Sequence, residues 1–213
     1  MKITGVESRL LYVPFTQPQV WASGARPGST RILVTLHTDE GLTGYGESIC
    51  LHEFIQPVLE KTIAPLVIGE DPHNVERLQR KMEGAGFYHH KRAAVAALAA
   101  VEIAMWDLVG KAAGQPLYKL WGGGFRKLIP TIAYLHARPP AELAEEAAGF
   151  VANGWTTIKV KIGIDPENDI EALTAVREAI GPRVKLRGDV NGAWTPGTAR
   201  RQLAKLEELD LEF

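Results

Sequence analysis

Two short stretches of this sequence hold residues that could do chemistry. Lys159-Val160-Lys161 sets two amines two positions apart. Residues i and i+2 of a strand share a face, so the ammoniums would stand about 6.6 Å apart on one side. Like charges that close in a partly dry mouth lower each other's pKa, and a lysine brought near neutrality can take a proton from carbon. Asp189-Val190-Asn191 repeats the spacing with a carboxylate and an amide. Asp189 is a hard oxygen ligand suited to Mg2+, and Asn191 can hydrogen-bond a neighbour. Each pair also has a plainer interpretation. The lysines would suit the surface of an edge strand, and Asp-x-Asn-Gly is ordinary turn chemistry.

The elements that must position these pairs repeat. Ile129–Tyr134, Thr156–Ile162 and Val184–Asp189 are apolar, β-branched runs. Aligning Ile132, Lys159 and Leu186 gives steps of 27 and 27, and one more step lands on Phe213. Helical patterns lie between and after them, at Ala141–Asn153, Glu167–Ile180 and Thr195–Leu209; the first two end at Asn-Gly and Gly-Pro stop signals. Strand–helix alternation predicts βαβ units and a parallel sheet. Both chemical pairs then fall at the C-terminal ends of consecutive parallel strands, where α/β active sites lie. Lysines cannot face a helix-packed layer, so Lys159 and Lys161 should point inward and Ile158 and Val160 toward the helices.

The first half predicts a small α+β domain. Lys2–Pro14 is strand-like, Phe15–Thr30 is rich in Gly, Pro and Ser and predicts a loop, and Arg31–His37 alternates cleanly at Ile32, Val34 and Leu36. Asp39-Glu40-Gly41 turns the chain into a third strand, Leu42–Ile49. Gly41, Gly44 and Gly46 suit a hairpin better than a phosphate loop, because no helix start follows them. Helices are expected at Phe54–Pro65, from Asp71-Pro72 to about Met82, and at Lys91–Ala113, with a break at Glu83–His90. His89-His90-Lys91 fits a solvated polar loop better than a ligand cluster.

Composition sets the outer limits. Of 213 residues 46% are hydrophobic, and 24 Lys plus Arg against 25 Asp plus Glu leave a net charge of -1. That excludes disorder, and the lack of a basic block argues against nucleic acid or an anionic membrane surface as partner. One cysteine, Cys50, excludes an internal disulfide framework. No run comes near the ~20 apolar residues of a membrane span, the nearest being Ala93–Met105 with Glu102 inside it. A cytoplasmic protein is expected.

The chain resembles the mandelate racemase/muconate lactonizing enzyme branch of the enolase superfamily. The resemblance is carried by Gly41-Leu42-Thr43-Gly44-Tyr45-Gly46-Glu47, by Ala104–Gly124, by Lys159-Val160-Lys161 and by Arg187–Trp194, in that order and spacing. It implies an α+β capping domain over residues 1–125 and a (β/α) TIM-like barrel from 126 to 213, of which only about the first three βα units are present. It implies Mg2+-assisted abstraction of the proton α to a carboxylate, giving an enediolate. Lys161 matches the family's base, Lys159 its partner at the substrate carboxylate, Asp189 the first of three metal-binding carboxylates, and Asn191 a polar neighbour. Residues 15–30 and 49–53 match two closing loops, with Trp21 and Leu51 as substrate-binding residues. The other ligands and the second acid/base group are expected beyond Phe213, Glu212 being a strand-entry residue, so the 213 residues alone should be inactive.

The implied reaction is that of a racemase, epimerase or cycloisomerase acting on a small-molecule carboxylate within a homo-oligomer. Dehydration of acid sugars with the same lysine is the alternative. The Val20, Trp21 and Pro18 loop, poor in charge with Arg26 available for one anionic group, favours the first. A non-catalytic binding or assembly module is the alternative of another class.

Overall fold

The computed structural model describes residues 1–49 and 54–212, with the backbone alone over 86–90. Cys50 and Leu51 lie outside the described residues. The chain divides into two compact units: Met1–Pro14 with Gly28–Lys127, and Phe15–Pro27 with Leu128–Phe213.

The first unit holds a three-stranded sheet in the order β1 (Ile3–Trp21), β2 (Gly24–Thr38), β3 (Thr43–Ile49). The expected loop over 15–30 is instead the outer part of a long β1–β2 hairpin, and the tip, 15–27, groups with the second unit. Pro14 and Pro18 stand on β1, an edge strand, and Pro27 on β2 beyond the stretch that pairs with β3. A proline is tolerated where no ladder bond is asked of its nitrogen. Ile32, Val34 and Leu36 are fully buried, as their alternation predicts.

Gly44 and Gly46 explain themselves only in three dimensions. β3 is covered by α3 (Val75–Ala113), and a Cβ on Gly46 would stand 1.8 Å from the Ala100 carbonyl oxygen. On Gly44 it would stand 2.3 Å from that of Ala104. Small residues on both sides let helix and strand backbones touch. The contact is pinned by Asp107 Oδ2, which accepts from the Tyr45 N–H at 2.8 Å and from Lys111 Nζ at 2.7 Å.

Helix α3 runs unbroken for 39 residues, which corrects the predicted break at Glu83–His90. The helix starts later than Asp71-Pro72 predicts, because Asp71 Oδ1 accepts from the His73 N–H and forms a local turn first. It ends as expected at Gly114, whose φ of 60° suits a glycine C-cap. Lys91–Ala113 is long and apolar enough to cross a membrane by length and composition, which corrects the expectation that no run comes near. Half of its most apolar window is buried, and Ala97, Ala100, Val101, Ala104 and Met105 belong to the core of this unit. The preceding helical segment, α1 (Ile55–Val58) and α2 (Ala64–Val67), is joined by a π-helical turn, Leu59–Ile63. A short α4 (Leu117–Leu120) follows α3.

The second unit carries the parallel sheet: β4 (Ala133–Leu135), β5 (Thr157–Lys161), β6 (Lys185–Asp189), with α5 (Pro140–Ala152), α6 (Pro166–Ile180) and α7 (Pro196–Leu206). Asp165 caps α6 and Thr195 caps α7, each with proline in the first turn. The register is not a steady 27. Ala133 pairs with Ile158 and Ile158 with Leu186, steps of 25 and 28; Leu186 then bridges Leu211, a step of 25. The odd correction matters, because it puts Arg187, not Leu186, beside Lys159. Ile158, Val160 and Leu186 are fully buried in a core with Leu143, Leu173 and Val176 from α5 and α6.

Arg177 on α6 ties this unit's lower rim. Its guanidinium donates to the carbonyls of Leu209, Gly181, Val184 and Asp210 at 2.7–3.1 Å. Carbonyls left without that partner lose charge-assisted bonds worth about 1.5–3 kcal/mol apiece before relaxation. Arg177→Ala is expected to lower stability by about 2–3 kcal/mol in urea denaturation, and Arg177→Lys to recover less than half, since an ammonium cannot span four acceptors. A loss below about 1 kcal/mol would mean that water replaces the fork freely.

Candidate active site

The C-terminal ends of β5 and β6 converge on one carboxylate. Lys161, the last residue of β5, pairs directly with Asp189, the last of β6. Asp189 Oδ2 accepts from Lys161 Nζ at 2.6 Å and from Lys159 Nζ at 2.8 Å. Its Oδ1 accepts from the Asn191 N–H at 2.9 Å, and Asn191 Oδ1 accepts from Lys161 Nζ at 2.5 Å. Asn191 reaches that position with φ at 49°, a conformation Asn tolerates better than most residues. Lys159, Lys161, Asp189 and Asn191 are thus brought together on the face away from the helices, while Ile158 and Val160 face the core.

The structure adds a residue that the sequence reading missed. Tyr134 on β4 pairs with Lys159, and its ring centroid lies 5.6 Å from Lys159 Nζ and 5.4 Å from Lys161 Nζ. A π-face beside two ammoniums is favourable. The signal was available: Tyr134 and His136 are the same i, i+2 pair at the end of the first repeat strand.

The electrostatics differ from the sequence expectation. The two lysines share a carboxylate instead of facing each other bare. Burial pushes the Lys161 ammonium pKa down, but Asp189 and Tyr134 outweigh it, and the net direction is up. Burial likewise pushes Asp189 up, and Lys159, Lys161 and the Asn191 N–H carry it well below the usual carboxylate range. The cluster rests as two ammoniums around one carboxylate, so the predicted lowering of Lys161 is not its resting condition.

The donor set does not by itself fit Mg2+. That ion demands near-octahedral oxygen ligation. Among the described residues no group of three or more His, Cys, Asp or Glu side chains could hold a metal, and Asp189 Oδ2 is shared by two ammoniums. Glu212, one strand over, is held by Lys185 Nζ at 2.7 Å and Arg187 Nε at 2.5 Å.

Trp21 stands at the hairpin tip. Its indole N–H donates to Ser23 Oγ at 2.6 Å, and Arg26 lies over its ring at 5.7 Å. None of its polar or ring contacts among the described residues reaches the lysine cluster. Arg26 also lies over Phe15 and donates twice to Gln19 Oε1, at 3.0 and 3.2 Å.

Residues 6–122 match the family model described as mandelate racemase/muconate lactonizing enzyme, N-terminal domain, and residues 142–213 match that of the enolase C-terminal domain-like family. The chain is 32% identical to N-succinyl-L-Arg/Lys racemase of Bacillus cereus over 97% of its own length and 58% of that protein's. The solved structure of that racemase covers all of this chain with a TM-score of 0.93. Hydrophobic dipeptide epimerase of Enterococcus faecalis is 34% identical over 100% of this chain and 60% of the epimerase. Its structure, complexed with Mg and the dipeptide L-Leu-L-Tyr, superposes with a TM-score of 0.89. Arabinonate dehydratase of Saccharolobus solfataricus is 36% identical over 85% of this chain and 51% of that enzyme. The chain therefore spans little more than half the length of the relatives it matches. The first family match alone takes in more than half of the 213 residues, and the second contains the strands that carry Lys159, Lys161 and Asp189. With an N-terminal capping domain followed by part of a C-terminal barrel domain, this chain belongs to the mandelate racemase/muconate lactonizing enzyme branch of the enolase superfamily.

Proposed function

We propose that this chain serves an enzyme that removes the proton α to a carboxylate, of the racemase, epimerase or cycloisomerase type. The carrying observation is the convergence of Lys159 and Lys161 on Asp189 at adjacent strand ends. In this proposal residues 1–125 form the capping domain, and 126–213 supply about three βα units of the barrel. Lys161 is the base. It is the more enclosed of the two lysines, with 9% of its side chain exposed against 25% for Lys159, and so the better shielded from water. Lys159 offers its ammonium to the substrate carboxylate, and the enediolate charge that develops next to it is stabilised by proximity. Lys161 accepts a proton only after Asp189 stops holding it as an ammonium.

Mg2+ is the proposed cofactor, supported by the Mg-bound epimerase relative. Asp189 would give one oxygen ligand, with the others supplied by residues outside the described cluster. For that reason the 213 residues alone are proposed to be inactive. The whole protein is proposed to be a cytoplasmic homo-oligomer, with Asn191, Trp21 and Leu51 at the substrate.

The relatives suggest probes. N-succinyl-L-lysine and L-Leu-L-Tyr should be converted to their epimers by the whole protein, read by chiral chromatography. The 36% identity to arabinonate dehydratase supports the second proposal, loss of water to a 2-keto acid, and arabinonate with semicarbazide detection separates the two. If none of the three is converted, the reaction class loses its support.

A further inference from the structure

One hydrogen-bonding side chain at the strand ends is not satisfied by the cluster. His136 follows β4 by one residue, two after Tyr134, on a row that continues to Lys161 and Asp189 through the register Tyr134–Lys159 and Lys161–Asp189. Its ring packs edge-on to Tyr134 with centroids 4.6 Å apart. Tyr134 in turn faces both ammoniums, so the imidazole lies on the cluster's side of the sheet.

Its surroundings are positive. Burial, and after it the charges of Arg138, Lys161 and Arg26, hold its pKa below the ordinary histidine range. The ring is therefore neutral at pH 7, with one N–H donor and one lone pair. Nδ1 is enclosed and has no hydrogen-bond partner among the described residues. A buried N–H without a partner is rarer and costlier than a bare acceptor, so the proton belongs on Nε2. Asp189, Asn191 and both lysines are occupied with one another, and Arg26 with Gln19. Among the described residues His136 Nε2 is a donor left over, in a neighbourhood of three cations.

We propose that His136 is a substrate-contact residue, its Nε2–H donating to an anionic oxygen of the substrate, a carboxylate. This rests on the proposed α-proton chemistry of the same cluster and deepens it. The anionic oxygen would meet Arg138 as well, which is only partly answered by Glu146 at 3.2 Å.

The test compares wild type, His136→Phe and His136→Gln in the whole protein, with N-succinyl-L-lysine as probe. Binding is read by calorimetry and turnover by chiral chromatography. His136→Phe is expected to weaken binding and raise KM about tenfold, the scale of one charge-assisted bond, with kcat within about threefold. His136→Gln, which keeps a donor, should recover much of the loss. A loss of secondary structure in His136→Phe would shift the comparison to His136→Gln and to the wild-type His136 ring resonances, which must move as the probe is added. Unchanged affinity in the variants with normal turnover overturns the role of His136 and leaves Lys161 as base. Weakened affinity without turnover in wild type keeps His136 and removes the α-proton reading. No binding by wild type removes both.

Discussion

Gly46→Ala is expected to unfold the first unit or to lower its melting temperature by about 10 °C. The added methyl would stand 1.8 Å from the Ala100 carbonyl oxygen and 2.8 Å from the Ala104 amide nitrogen, both backbone atoms of α3. No side chain can swing aside to relieve it. Overpacking costs about 1–3 kcal/mol when neighbours can adjust; here the helix itself must lift off β3, which places the loss at about 3 kcal/mol or above and gives the temperature shift quoted. Lifting it would also pull Asp107 from the Tyr45 N–H and Lys111 from the Thr43 carbonyl. Gly41→Ala is the control. Gly41 has a φ of 79° and open space around its Cβ position, so alanine there should cost only about 1–2 kcal/mol of left-handed backbone strain. Equal losses at the two positions, by thermal and urea denaturation, would show that packing on α3 is not what Gly46 serves.

Lys161→Ala is expected to lower the epimerisation rate of the whole protein by roughly 10²–10⁴-fold, the usual contribution of a positioned acid or base. KM should change little, because Lys159 and the rest of the pocket still bind the carboxylate. Lys161→Arg should not rescue, since a guanidinium holds its proton at any working pH. Lys159→Ala should show the opposite split, with KM rising more than kcat falls. Polarimetry on N-succinyl-L-lysine measures all three variants. A Lys161→Ala protein within tenfold of wild type would remove Lys161 as base.

How much of this was legible in the sequence follows from how local each signal is. The clean alternation of Ile32, Val34 and Leu36 reports one buried face, and β2 buries it. Parity alone put Lys159 and Lys161 on one face and Val160 on the other. The parallel sheet was legible because the strand–helix repeat is long and its stop signals are strong. What failed was non-local. The 27-residue step missed the register because the strand-to-strand spacing alternates between 25 and 28, and one residue of error changes the face. The prolines of 14–27 spoke for a loop; only the knowledge that β1 is an edge makes them compatible with a strand. Gly84 and Gly86 suggested a break in a helix that runs through both. The charge on Lys161 could not be judged without Asp189, 28 residues away and 2.6 Å distant. Tyr134 and His136 share the i, i+2 spacing of the lysines, but that Tyr134 lies beside two ammoniums is visible only once the sheet register is known.

Removal of an α-proton is the step proposed for this lysine cluster, and solvent exchange measures that step without regard to the final product. The whole protein is incubated with N-succinyl-L-lysine or L-Leu-L-Tyr in deuterated water, and the α-proton signal is followed by proton NMR beside the Lys161→Ala variant. Wild type is expected to replace the α-proton with deuterium while Lys161→Ala leaves it in place. Turnover of a substrate whose α-proton is retained, or exchange that continues in Lys161→Ala at the wild-type rate, would contradict it.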